Sequence, residues 1–322
     1  MWAGCGSASA AAAGLNPEIE SFIEQLVAEH RFERRELRRW FAQARVQRGV
    51  LKAMSQPATA RPWHEYRASQ LTEARIRGGL EYWQRHAATL ARASTEYGVP
   101  EEIIVATIGV ETFYGRNTGG NKVFESLVTL AFAYPPRAGL FRGELEQFLL
   151  LTRELRLDPL RFKGSYAGAL GVPQFLPSSY RRYAVDFDNN GRRDLWDHGD
   201  AIGSIANYYQ SYGWQPGEPV VVTIEAQVDT AGDEFRLLLE RGIKPHTTVA
   251  AVRGGGVTPA EPVAEDALIC VFGAESEAGM RYWMGFNNFY VITRYNRSVN
   301  YALTVHELAQ ELRRARHGGR SE

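Results

Sequence analysis

The sequence predicts a mainly α protein of the α+β class, a long helical portion followed by a small β-rich region. Apolar residues recur at helical spacing as far as Tyr212, and runs of β-branched and aromatic residues gather only beyond Trp214. A chain of 322 residues with a hydrophobic fraction of 44% can bury one large core or a few small ones.

Asn16-Pro17-Glu18 opens the first helix with a capping residue, a proline at the first helical position and an acid in the first turn. Ile19, Phe22, Ile23, Leu26 and Val27 then mark its apolar face. A second helix is predicted over Arg34 to Ala44, and Ser55 to Tyr66 reads as a loop. From Thr72 one long helix carries Ile76, Leu80, Trp83, Ala87 and Leu90 on one face and stops at Gly98. Pro100 with Glu101 and Glu102 starts another, ending near Gly115, and periodicity marks two more at Phe124 to Ala133 and Leu140 to Leu155. Pro177 to Ala184 and Asp200 to Tyr212 complete the helical portion, with Gly213 as the stop. Beyond it VVVTIEAQV, ALICVFG and NNFYVITRY read as strands, Glu234 to Glu240 as a short helix, and Ala302 to Arg316 as a closing amphipathic helix.

Lysine plus arginine and aspartate plus glutamate both number 37, so no overall field draws the chain to nucleic acid or to a membrane surface. The two cysteines, Cys5 and Cys270, exclude a disulfide framework and a cysteine-built zinc cluster. The start, an Ala/Ser/Gly-rich tail, lacks the basic and apolar regions of a signal peptide as written. Trp2-Ala3-Gly4-Cys5 is nevertheless similar to the end of a bacterial lipoprotein signal, with the true start upstream; a plain tail is the competing reading.

Three stretches could carry chemistry. On the helix from Pro100, Ile104, Thr107, Ile108 and Glu111 share one face, which places an ionisable group where the core belongs. Burial and the negative end of the helix dipole both raise the pKa of such a carboxyl, and an acid protonated near neutrality suits general-acid cleavage of a glycosidic bond. The alternative is a frayed helix end with Glu111 in water. In DFDNNGRRDLWDHGD, Asp186, Asp188 and Asn190 stand at positions 1, 3 and 5 of an EF-hand-like loop, with Gly191 at 6 and the carbonyl of Arg192 at 7. Asp197 at position 12 is shorter than the usual glutamate, and a polar Asx-rich turn is the competing reading. In Lys163 to Gln174 the glycine spacing matches no phosphate loop; the segment is either an ordinary loop or one that lets backbone approach a ligand, with Ser165 and Gln174 as hydrogen-bonding groups.

GVETFYG around Glu111, KGSYAGALGVPQFLPSSY, LWDHGDAIGSIANYY and VITRYN follow one another in an order that resembles the membrane-bound lytic murein transglycosylase B family, glycoside hydrolase family 103, from about Asn16 to about Leu308. The resemblance implies a lysozyme-like helical core, a helical N-terminal domain and a small antiparallel β-domain. The expected division is a tail at 1–15, a helical domain at 16–98 joined by helix 302–316, a catalytic core at 99–214 with the loop 186–200, and a β-rich domain at 215–301. It implies a monomeric periplasmic enzyme that cleaves the β-1,4 bond between N-acetylmuramic acid and N-acetylglucosamine in peptidoglycan and leaves 1,6-anhydromuramic acid ends. Its only membrane contact would be a lipid at Cys5, and its only cofactor structural calcium.

By motif, Glu111 matches the family's catalytic acid, and Ser165 and Gln174 match groove residues. Tyr208, Tyr295, Asn296 and Tyr301 match residues around the muropeptide site, which Tyr66 would reach from the helical domain. The family's calcium loop closes on an acid at its fifteenth position, here Asp200. Pro136 and Leu140 stand where arginine and tyrosine are expected, leaving Arg137 of that cluster. A water-using lysozyme-type muramidase, which needs a second carboxylate, and a catalytically silent peptidoglycan-binding scaffold are the rival readings.

Overall fold

The computed structural model describes residues 15–55, 61–225 and 232–318. The chain begins with α1 (Pro17–His30), α2 (Arg34–Gln43), α3 (Arg48–Met54), α4 (Trp63–Gln70), α5 (Glu73–Arg85), α6 (Ala87–Tyr97) and α7 (Glu101–Thr112). Asn16 caps α1 by accepting from the Glu18 amide at 2.8 Å, and Gly98 ends α6 at φ 71°. Then come β1 (Asn121–Lys122), α8 (Val123–Ala133), α9 (Ala138–Glu154), β2 (Lys163–Gly164), α10 (Pro177–Tyr183) and α11 (His198–Ser211). The last part holds β3 (Val221–Thr223), α12 (Asp233–Glu240), β4 (Thr247–Thr248), α13 (Val249–Gly254), β5 (Leu268–Ser276), β6 (Gly279–Gly285), α14 (Asn287–Tyr295) and α15 (Val299–Gly318).

The middle of α7 is the apolar centre. Ile103 through Gly109 are buried on every side, because α5, α6, α11 and α15 surround them. Burying each Ile or Val side chain there is worth about 1.5–3 kcal/mol. The β region is one antiparallel sheet of order β3-β6-β5-β4, with Cys270 opposite Gly285 and Phe272 opposite Trp283. Alternation along β5 feeds two cores: Cys270, Phe272 and Ala274 join the main one, and Ile269 and Val271 a smaller one with Val222, Phe235 and Met284.

Three expectations are corrected. The helix from Thr72 is two helices, broken at His86, whose ring packs 4.4 Å from Tyr82 and 5.0 Å from His198. The loop ending at Tyr66 contains the start of α4, because Trp63 and Tyr66 bury one face after Pro62. NNFYVITRY is helix α14 rather than a strand. Asn288 is fully buried there, taking the Gln215 amide at 2.8 Å and donating to the carbonyls of Gln215 and Glu218, and those bonds outweigh local β-propensity. Its place in the sheet goes to GMRYWMG, β6. Part of the first predicted strand, and Cys5 with the tail, lie outside the described residues.

Candidate active site

Glu111 sits in the last turn of α7, four residues before the predicted stop at Gly115. The helix ends at Thr112 because Phe113 and Tyr114 adopt φ of 50° and 63°, an uncommon conformation for non-glycine residues. Packing enforces it. The Tyr114 ring fills the space left by Gly78, Gly79 and Gly109, where an added Cβ on Gly109 would lie 2.7 Å from its hydroxyl, and that hydroxyl donates to the Arg75 carbonyl at 2.8 Å. Thr112 donates to the Val172 carbonyl at 3.1 Å and accepts from the Gly115 amide at 2.9 Å, which ties the helix end to the glycine-rich segment.

The Tyr301 hydroxyl, from the first turn of α15, donates to Glu111 Oε1 at 2.7 Å. Glu111 keeps partial surface exposure as a residue, yet protein encloses its carboxyl, and that loss of hydration raises its pKa to about 7 against a smaller lowering by Tyr301. The groups that respond to its charge are all tyrosines. Tyr66 is pushed up to about 12, first by burial and then by Glu111, and Tyr209, Tyr295 and Tyr301 are raised by the same two causes in the same order. They remain neutral phenols. Among the described residues no second carboxylate and no cation accounts for the raised pKa of Glu111.

The remaining predicted residues lie on the glycine-rich segment, on α11, at the end of α14 and before α9. Ser165 Oγ accepts from the amides of Ala167 and Ala169 at 3.2 and 3.0 Å, leaving its proton to donate. Gln174, at φ 52°, spends its amide nitrogen on the carbonyls of Thr118 and Gly171, which leaves Oε1 as an acceptor. Tyr295 donates to the Pro173 carbonyl and stacks on Tyr301 at 6.3 Å, so it joins this segment to the acid. Tyr208 lies behind it, with its hydroxyl on the Arg294 carbonyl at 2.6 Å. Asn296 is exposed at the end of α14, and Arg137 is exposed with its guanidinium over Phe141. Tyr209, absent from the expected set, bonds to Thr107 Oγ1 at 2.8 Å beneath the acid; its fully buried partners Ile202 and Ile205, seven and four residues earlier on α11, were a readable signal.

In the loop 186–200, Asp186, Asp188 and Asp200 bring carboxylate oxygens within 4.8 Å of one another. Asp200 is fully buried and drawn inward by the amides of Phe187 at 2.6 Å and Asp194 at 2.7 Å. Asp197 instead caps α11, accepting from Gly199 and Asp200 at 2.6 and 3.1 Å. An all-oxygen set with three converging carboxylates and a sharp turn at Gly191, φ 84°, suits calcium.

The helical core, the enclosed acid at the end of α7 and the carboxylate loop place this chain in the lysozyme-like lytic transglycosylase class. It superposes with a TM-score of 0.85 on the soluble lytic transglycosylase SltB1 of Pseudomonas aeruginosa, at 45% identity over 94% of this chain and 100% of that one. The Escherichia coli lytic transglycosylase SLT35 in complex with calcium gives a TM-score of 0.84 at 40% identity over 94% of each chain. The membrane-bound lytic murein transglycosylase B of Escherichia coli is 40% identical over 311 residues, 94% of this chain and 84% of that protein. The family described as Transglycosylase SLT domain matches residues 14–310, and the chain belongs to it.

Proposed function

We propose that this protein cleaves the β-1,4 bond between N-acetylmuramic acid and N-acetylglucosamine in peptidoglycan without using water, leaving 1,6-anhydromuramic acid ends. The observation that carries the reading is Glu111, a carboxyl with a pKa of about 7 and, among the described residues, no second carboxylate beside it. Near neutrality it is available in both protonation states, as a group that must act first as acid and then as base requires. It gives its proton to the glycosidic oxygen and the bond to the anomeric carbon breaks. As a carboxylate it then takes the proton of the muramic acid C6 hydroxyl, whose oxygen bonds to that carbon. The proton is returned and no water is consumed. Because the nucleophile belongs to the same sugar, orientation replaces the second carboxylate of a hydrolase.

The Ser165 hydroxyl and Gln174 Oε1 are assigned to holding the sugar, the tyrosines Tyr66, Tyr295, Tyr301 and Tyr208 with Asn296 to the muropeptide around it, and Arg137 to a distal contact. Asp186, Asp188, Asn190, the Arg192 carbonyl and Asp200 would hold one calcium ion, which would stabilise the fold. A wall substrate argues for the periplasm, and the reading takes the enzyme as a monomer with 99–214 as its catalytic core, 16–98 and 302–316 as a helical domain and 215–301 as a β-domain. Cys5 is the candidate lipid attachment point, and palmitate labelling lost in Cys5→Ser tests it.

Glu111→Gln is the test of mechanism. It keeps the shape and should still bind glycan, while turnover falls by at least the roughly 10²–10⁴-fold typical of general acid–base catalysis. Near-normal turnover would show that another group performs the chemistry.

A further inference from the structure

A groove of about 1280 Å³ lies away from Glu111, between the end of α9, β2 and the loop 186–200. Arg156, Arg161, Lys163 and Arg192 line it, all exposed, and among the described residues none has a carboxylate partner. Of the three acids in the same groove only Glu154 is paired with a cation, and Asp158 and Asp194 bond to backbone amides and keep their charge. Glu154 pairs with Arg181 at 2.7 Å, Asp158 accepts from the Leu160 amide at 2.9 Å, and Asp194 from the Trp196 amide at 2.9 Å. The lining, with Arg193 included, thus sets five cations against three acids, and an excess of cations in a concave surface concentrates anions. Trp196 adds an aromatic platform, 37% exposed and backed by Phe162 at 6.0 Å. Cations around an open indole fit a polymer that carries both carboxylates and sugar rings.

Segments that line the groove continue into the stretch assigned to holding the sugar. Lys163 and Gly164 of β2 lead into Ser165, and the Leu195 carbonyl next to Trp196 takes the Val172 amide at 2.8 Å, one turn from Gln174. A polymer held by Ser165 and Gln174 would therefore pass beside the groove.

We propose that this groove is a second, non-cleaving peptidoglycan site, where stem-peptide carboxylates meet Arg156, Arg161, Lys163 and Arg192 and a sugar ring lies on Trp196. It rests on the reading above for the identity of the polymer. Its role is to hold the enzyme on the wall while Glu111 acts on a strand alongside.

The test compares the full chain with the double variant Arg156→Glu/Arg161→Glu and with Trp196→Ala, in sedimentation with insoluble sacculi and in cleavage of a short soluble glycan tetrasaccharide. Sedimentation affinity should fall about tenfold in each variant and lose most of its salt dependence in the charge reversal, while tetrasaccharide turnover stays within about twofold of the wild type. The Arg156→Lys/Arg161→Lys protein keeps the charge and should bind as the wild type does. Unchanged sedimentation overturns the proposal, and so does an equal loss of tetrasaccharide turnover, because the groove would then belong to the cleavage site. Wild-type affinity for single-stranded DNA matching that for sacculi also overturns it. Whether the wild type cuts the tetrasaccharide at all tests the parent reading separately.

Discussion

Replacing Glu111 by Gln should stabilise the protein at alkaline pH and not at acid pH. The unfolded chain releases this proton near 4.5, whereas the folded protein holds it to about 7 because burial disfavours the charge. Between those values the folded state carries one proton more than the unfolded state, so stability falls as pH rises, by about 1.4 kcal/mol per pH unit. Across the window this amounts to about 3 kcal/mol, an upper figure since Glu111 keeps some contact with water. Gln keeps an oxygen for the Tyr301 hydroxyl and does not titrate, so the variant escapes the loss. Calorimetric melting of both proteins from pH 4 to pH 8 should give a difference in Tm that grows in the variant's favour by several degrees and levels off above pH 7. Every other titrating group cancels in that difference. A difference that stays constant with pH would refute the reasoning, because it would mean that the carboxyl titrates normally.

Tyr301→Phe removes the one interaction that lowers the pKa of Glu111, so the alkaline limb of kcat/KM should move to higher pH; a stationary limb contradicts the assignment. Gly109→Ala forces Tyr114 away from the end of α7 and should cost about 1–3 kcal/mol of stability and most of the turnover, measured by melting and a cleavage assay. Calcium should raise Tm more than magnesium does, because magnesium sheds its water reluctantly, and Asp186→Ala should abolish the effect; equal melting in calcium and in chelator counts against the ion.

What was legible in the sequence was mostly local. Glu111 stood out because an acid occupied the apolar face begun by Ile104, and the carboxylate loop because its oxygens recur at fixed offsets within fifteen residues. What was hidden depends on distant partners. Helix α14 is built from residues of high β-propensity and is held by Asn288 against the backbone of Gln215 and Glu218, about 70 positions away. The break at His86 answers to Tyr82 and His198, the latter more than a hundred residues on. Strand β6 has Met, Arg and Gly where an isolated reading looks for Val and Ile, and its pairing with β5 defines it. The cationic groove draws on separate segments around residues 156, 163 and 193, so no single motif announces it.

The most direct test of the central claim is the mass of the products released by the wild-type protein from purified peptidoglycan. Transfer to the C6 hydroxyl predicts 1,6-anhydromuramic acid ends, each one water lighter than a hydrolysis product. Hydrated reducing ends as the main product would mean that water, and not the C6 hydroxyl, is the nucleophile.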